Sequence, residues 1–182
     1  RWVIFGPPKW VTFRLLKLFW EMLPLFNSEI LENEILLRTL RLNCLSNHYS
    51  ELWDAIWTNK MKSSPSLKHY KLPIANNKLN SVWDWNSPIR GHLEREQTLC
   101  EVDALVAMII GFSKNDLLKL YRSQFGALQK KFKDLPGQVE EDSFPRAKIM
   151  EEAYDMFLDH FGVTEEQVVA GYFQEEQKAE AA

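Results

Sequence analysis

Residues 93–128, LEREQTLCEVDALVAMIIGFSKNDLLKLYRSQFGAL, constrain the fold more than any other stretch of this chain. Leu99, Val102, Val106, Ile109 and Ile110 recur at helical spacing, so they are read as the apolar face of an amphipathic helix opened by Glu94, Arg95, Glu96 and Gln97. Gly111 is the expected C-cap, since helices commonly end on one residue at positive φ. Ser113 should cap the next helix, with Asp116 standing where a capping box usually has Glu. That second helix carries Leu117, Leu118, Leu120, Tyr121 and Phe125. The stretch is therefore a helix-turn-helix hairpin whose two inner faces are expected to bury each other.

The remaining segments also read as helical. Lys9–Leu23 is rich in aromatics and stops at Pro24, which ends or kinks a helix. Asn27 or Ser28 caps a helix with Ile30, Leu31, Ile35, Leu37, Leu40, Leu42 and Leu45 as apolar members and Arg38 and Arg41 on one side. Ser46 or Asn47 caps a short helix running to Trp57. Arg146–Phe161 is amphipathic through Ile149, Ala153, Met156 and Phe157, and Gly162 ends it. Thr164 with Gln167 forms a capping box for a last helix that fades into a frayed tail. The predicted fold is all-α, an irregular bundle of about seven helices. Residues 1–133 are read as the main domain and 134–182 as an acidic linker with a helical extension. The opening run Trp2–Phe5 is strand-like with no visible partner, and there is no initial Met; both fit a piece of a longer protein.

Thr58–Ser87 breaks the pattern. It has no helical period and mixes lysines with Ser, Asn, Pro, Tyr and Trp. A loop this long inside a compact domain is usually functional or disordered, and its aromatics argue against disorder. Charge is also divided: residues 1–133 hold 19 Lys and Arg against 12 Asp and Glu, whereas 134–182 hold 3 against 13. A basic body with an acidic tail points to nucleic acid or an acidic partner. Within the insert, Lys60, Lys62, Lys68, Lys71 and Lys78 are candidates for phosphate contact, and Asn76 and Asn77 for base contact, as is Arg90 beside it. Arg95 joins them as a further basic candidate. Composition leaves open the alternative that Trp83 and Trp85 pack on the helices and the lysines only keep a loop soluble.

Catalytic signals are missing. No glycine-rich phosphate loop, no nucleophile elbow and no Cys/His set with zinc spacing occurs, so no metal ligand is assigned. His48, His69, His92 and His160 read as surface or capping residues. Cys44 and Cys100 read as core thiols, from which a cytoplasmic location is expected. No apolar run is long enough for a membrane span.

Two blocks, Leu36–Trp57 and Ser87–Leu128, resemble consecutive blocks of large bacterial adenine-specific DNA methyltransferases, including combined restriction–methylation enzymes of phage defence. The shared residues are Arg95, Glu101, Val102, Asp103, Ala104, Leu105, Val106, Ala107, Gly111, Tyr121, Arg122, Gln124 and Phe125. The likeness spans roughly residues 36 to 133, with Gly126 where the family usually has Pro. It implies the C-terminal, target-recognition side of such an enzyme. The family's N-P-P-Y/F tetrapeptide and its S-adenosylmethionine motif are absent, so the resemblance implies no cofactor in this chain and a catalytic domain or subunit, using S-adenosylmethionine, elsewhere. Double-stranded DNA and that catalytic part are the implied partners. Asp103 and Arg122 are expected to pair across the hairpin turn at Gly111. The alternative is a helical protein–protein adaptor that uses the aromatic helix at 9–23 and the acidic tail.

Overall fold

The computed structural model describes residues 29–67, 76–124 and 145–173. Among these residues the chain forms α1 (Glu29–Asn43), α2 (Ser50–Ile56), α3 (His92–Ile109), α4 (Lys114–Gln124), α5 (Pro145–Phe161) and α6 (Glu165–Val169). Short 3₁₀ turns occur at Asn47–Tyr49, Asn59–Ser63 and Asn76–Lys78, and no strand is present among the described residues. The described residues are thus all-α. The opening strand-like run, the aromatic helix at 9–23, most of the acidic linker and the tail lie outside the described residues.

Helix α3 is the hub, and it packs chiefly on α5 and next on α1. Its phase differs from the sequence expectation. Leu99, Val106 and Ile110 are 44%, 37% and 36% exposed, while Cys100, Ala104, Leu105, Ala107, Met108 and Ile109 are buried. The cause is that three polar residues, Gln97, Thr98 and Glu101, share the inner face. A periodicity argument sends polar residues outward, so it rotates the stripe to the wrong side of a helix whose inner face is partly polar.

The helix ends follow the sequence closely. Gly111 has φ 77°, and the N–H groups of Gly111 and Phe112 donate to the carbonyls of Met108 (3.1 Å) and Ala107 (2.9 Å). These are the two bonds of a Schellman turn, which satisfies carbonyls that a helix end leaves bare. Gly162 (φ 65°) ends α5 in the same way, with Gly162 N–H on Asp159 and Val163 N–H on Leu158. At the start of α4 the Asp116 N–H donates to Ser113 Oγ, whose hydroxyl donates to the Asp116 carboxylate at 2.6 Å. Thr164 and Gln167 close a reciprocal capping box on α6.

The hairpin α3–α4 exists, but its two helices are not each other's main partners. Ile149, Met150, Ala153, Tyr154 and Phe157 of α5 join Cys100, Ala104, Leu105 and Met108 of α3 in one apolar cluster, to which Leu31, Leu117, Val168 and Phe173 also belong. Helices α5 and α6, read from sequence as an extension, are therefore part of the central core. The Tyr154 hydroxyl fastens the hairpin by donating to the Phe112 carbonyl at 2.8 Å. A second, smaller cluster of Leu37, Leu40, Cys44, Trp53, Met61 and Leu79 lies on the insert side.

Candidate nucleic-acid interface

The insert is not a free loop laid over the surface. Its described residues are pinned to α1 and α3 by a buried polar network centred on Arg38, which is 2% exposed. Arg38 Nη1 donates to Glu34 Oε2 (2.7 Å) and Nε to Glu101 Oε2 (2.8 Å), while Nη2 donates to the Pro65 carbonyl (2.8 Å). The ring of Phe157 lies 4.7 Å from the guanidinium carbon, so the charge is covered by an aromatic face from α5. Glu101 in turn accepts the Leu67 N–H at 3.0 Å, and Gln97 donates to the Leu67 carbonyl at 2.7 Å. Two carboxylates and one guanidinium are thus removed from water together, with backbone groups of the insert completing their hydrogen bonds.

Arg41, one helical turn on, makes a second tie. Its Nε donates to the Ser87 carbonyl (3.1 Å) and its Nη1 to Asn76 Oδ1 (2.6 Å). The Asn76 amide nitrogen donates to the Ser64 carbonyl at 3.1 Å. Burial pulls the Arg41 guanidinium down to about 10, with Glu101 opposing and Arg38 adding to the shift. The C-terminal end of α1 is closed by the segment before and inside α3. Ile89 N–H donates to the Arg41 carbonyl, Arg95 Nη1 to Leu42, Trp83 Nε1 to Cys44 and Arg90 Nη2 to Leu45. These contacts satisfy carbonyls that otherwise need water at a helix terminus.

This geometry sorts the candidate residues into three groups. Asn76 is buried with both ends of its amide engaged, so it is a structural clamp and not a base-reading side chain. Arg95 is half-buried, and its Nη1, which caps α1, also donates to the Ile89 carbonyl at 3.0 Å. Lys60, Lys62, Lys78 and Arg90 are exposed. Lys68, Lys71 and the Asn77 side chain lie outside the described residues. Of the two tryptophans, Trp83 is half-buried and bonded to the backbone, as the packing alternative requires, but Trp85 is 68% exposed. The Arg90 guanidinium stands 4.1 Å over the Trp85 ring and donates to the Trp85 and Leu45 carbonyls.

The hairpin residues divide likewise. Gly111 takes the positive φ expected of it. Asp103 and Arg122 form no ion pair with each other; Asp103 lies in the field of Arg146 from α5 instead. Crowding by apolar groups raises the Asp103 carboxyl, and the Arg146 charge opposes the rise. Arg146 and Asp103 sit at an open groove of about 280 Å³ lined by Val106, Ile110, Leu117 and Leu120. Both cysteines are buried and reduced, and burial pushes the Cys100 thiol up to about 11.

Sequence reasoning missed the Glu34–Arg38–Glu101 network. Its signal was present in the i, i+4 spacing of Glu34 and Arg38, but such a pair is usually a surface ion pair. Arg38 and Arg41 each follow a buried leucine of α1, Leu37 and Leu40, which is the other trace they leave in the sequence. Among the described residues, no group of His, Cys, Asp and Glu is placed to hold a metal ion, and no helix is long and apolar enough to cross a membrane. Comparison of the chain with protein-family models, with curated proteins and with solved structures gives no match.

Proposed function

We propose that this chain is the DNA-contacting scaffold part of an adenine-specific DNA methyltransferase system, acting beside a catalytic part that carries the S-adenosylmethionine site. One observation carries the DNA-contacting half: the exposed Trp85–Arg90 pair on an insert anchored by buried charges. The described charged residues of that insert and its exit to Gly91 are Lys60, Lys62, Lys78 and Arg90 against a single carboxylate, Asp84. Cations neutralise phosphate and an exposed aromatic ring offers a stacking surface, and a rigid base for both lowers the entropy lost on binding. The methyltransferase half rests on the resemblance of Leu36–Trp57 and Ser87–Leu128. Several residues of those blocks, Arg38, Arg41 and Glu101, are also residues that weld the insert to the helices.

The test is anisotropy of a labelled duplex with the full chain at about 50 and about 200 mM salt, against a variant with Lys60, Lys62, Lys68, Lys71 and Lys78 changed to Ala. A steep salt dependence that flattens in the variant supports DNA contact. Absence of binding at low salt overturns it. A protein–protein adaptor would use the aromatic helix and the acidic tail, which lie outside the described residues; its sign is capture of a methylase subunit with no DNA affinity of its own.

A further inference from the structure

The position of Arg90 narrows what can lie on Trp85. Its guanidinium covers one face of the indole at 4.1 Å and is held there by the Trp85 and Leu45 carbonyls. Trp83 meets the same ring nearly edge-on, with centroids 6.4 Å apart and planes at 88°. A ring covered on both faces would show little surface, yet Trp85 remains 68% exposed. The face opposite Arg90 is therefore largely open to solvent. A cation on one face also draws electron density from the ring and favours an electron-rich aromatic partner on the other.

Paired bases inside a duplex keep both faces stacked on their neighbours and present only edges and phosphates. An open indole face thus fits a base that has left the stack, and it is sequence-tolerant because every base has a π-face. The surrounding charge agrees, since the described residues of the insert and its exit at Arg90 carry four cations against Asp84, whose carboxylate already accepts the Asn86 N–H. Building on the DNA-contacting role above, we propose that Trp85, backed by Arg90, stacks an unpaired base, so that the site prefers single-stranded or locally opened DNA to intact duplex.

The experiment compares a labelled duplex with the same duplex carrying a short central mismatch bubble, using the full chain, Trp85→Leu and Trp85→Phe. Because Trp85 is exposed, each variant should melt and scatter light like the parent chain. The parent chain should bind the bubble about tenfold more tightly than the duplex. Trp85→Leu should lose far more affinity for the bubble than for the duplex, and with it that preference, whereas Trp85→Phe should keep most of it. Equal affinity of the parent chain for both DNAs, or an equal loss on both with Trp85→Leu, overturns the stacking role and leaves duplex contact standing. Binding of neither DNA at low salt overturns the stacking role together with the DNA-contacting role. Retention of the preference in Trp85→Leu assigns it to another group and also overturns the proposal.

Discussion

The two sides of helix α3 are held by different physics. Toward α5 the contact is apolar: Met108, Leu105 and Cys100 against Phe157, Tyr154 and Met150, all within 1% of complete burial. Toward the insert the contact is ionic and polar, with Arg38 between Glu34 and Glu101 and with carbonyls of Leu67, Ser64 and Pro65 bonded to side chains. Apolar burial is non-directional and tolerates sliding, whereas a buried charge accepts only the geometry that satisfies it. A segment without helical periodicity can be placed firmly by the second means. The lesson is that an irregular insert is not by that fact a mobile one.

Removing a single member on each side should break the molecule differently. Arg38→Met leaves Glu101 buried without its ion-pair partner and Glu34 with only His160 Nε2, 3.4 Å away, and should cost about 3–5 kcal/mol. Phe157→Ala opens a cavity in the apolar cluster and should cost a similar amount, about 3–5 kcal/mol. Equal magnitude does not mean equal consequence. In Arg38→Met, amide exchange should accelerate first at Leu67 and Asn76–Leu79, where local opening exposes the insert. In Phe157→Ala, protection should fall across α3 and α5 together. Replacing Glu101 along with Arg38 by apolar groups should not restore stability, because Glu101 also accepts the Leu67 N–H. If exchange rises evenly through both variants, the two sides are one cooperative unit and the contrast fails.

What the sequence reveals follows the same divide. Helix ends depend on a few local residues, so Gly111, Gly162, the Ser113–Asp116 pair and the Thr164–Gln167 box could all be read from spacing. The phase of α3 could not, because Glu101 and Gln97 point inward to partners 63 and 30 residues away. The candidate site divides as well. The exposed lysines and the Trp85–Arg90 neighbourhood were legible as a basic, aromatic surface. The interior placement of Asn76 was not legible, since a polar residue in an irregular segment gives no sign that a buried arginine is waiting for it.

A smaller effect tests the second tie alone. Asn76→Ala removes the acceptor of Arg41 Nη1 and the donor to the Ser64 carbonyl, both in the interior. An unpaired buried group costs about 1–3 kcal/mol, so a loss of about 2 kcal/mol is expected in chemical denaturation. Duplex affinity should be unchanged at temperatures where the variant is folded. A fall in affinity with stability intact would return Asn76 to the DNA surface and contradict the interior placement.

The smallest effect concerns the apolar side, at the turn after α5. Gly162 has φ 65°, and a methyl group placed on it would meet nothing within 4 Å. Any cost of Gly162→Ala is therefore conformational and not steric. The left-handed region costs an L-residue about 1–2 kcal/mol. Alanine recovers part of this, about 0.4–1 kcal/mol, because its unfolded chain has fewer states to lose. A net loss of about 1 kcal/mol follows, seen as a lower melting temperature. Gly162→Asn should lose less, since Asn enters that region more readily. The order Gly, Asn, Ala in thermal stability would show that the turn is set by backbone preference alone, with Val163 still seated on the core. An Ala variant as stable as the parent would mean that the Schellman turn contributes nothing, and that packing of Val168 in α6 and of Phe173 beyond it by itself fixes how α5 ends.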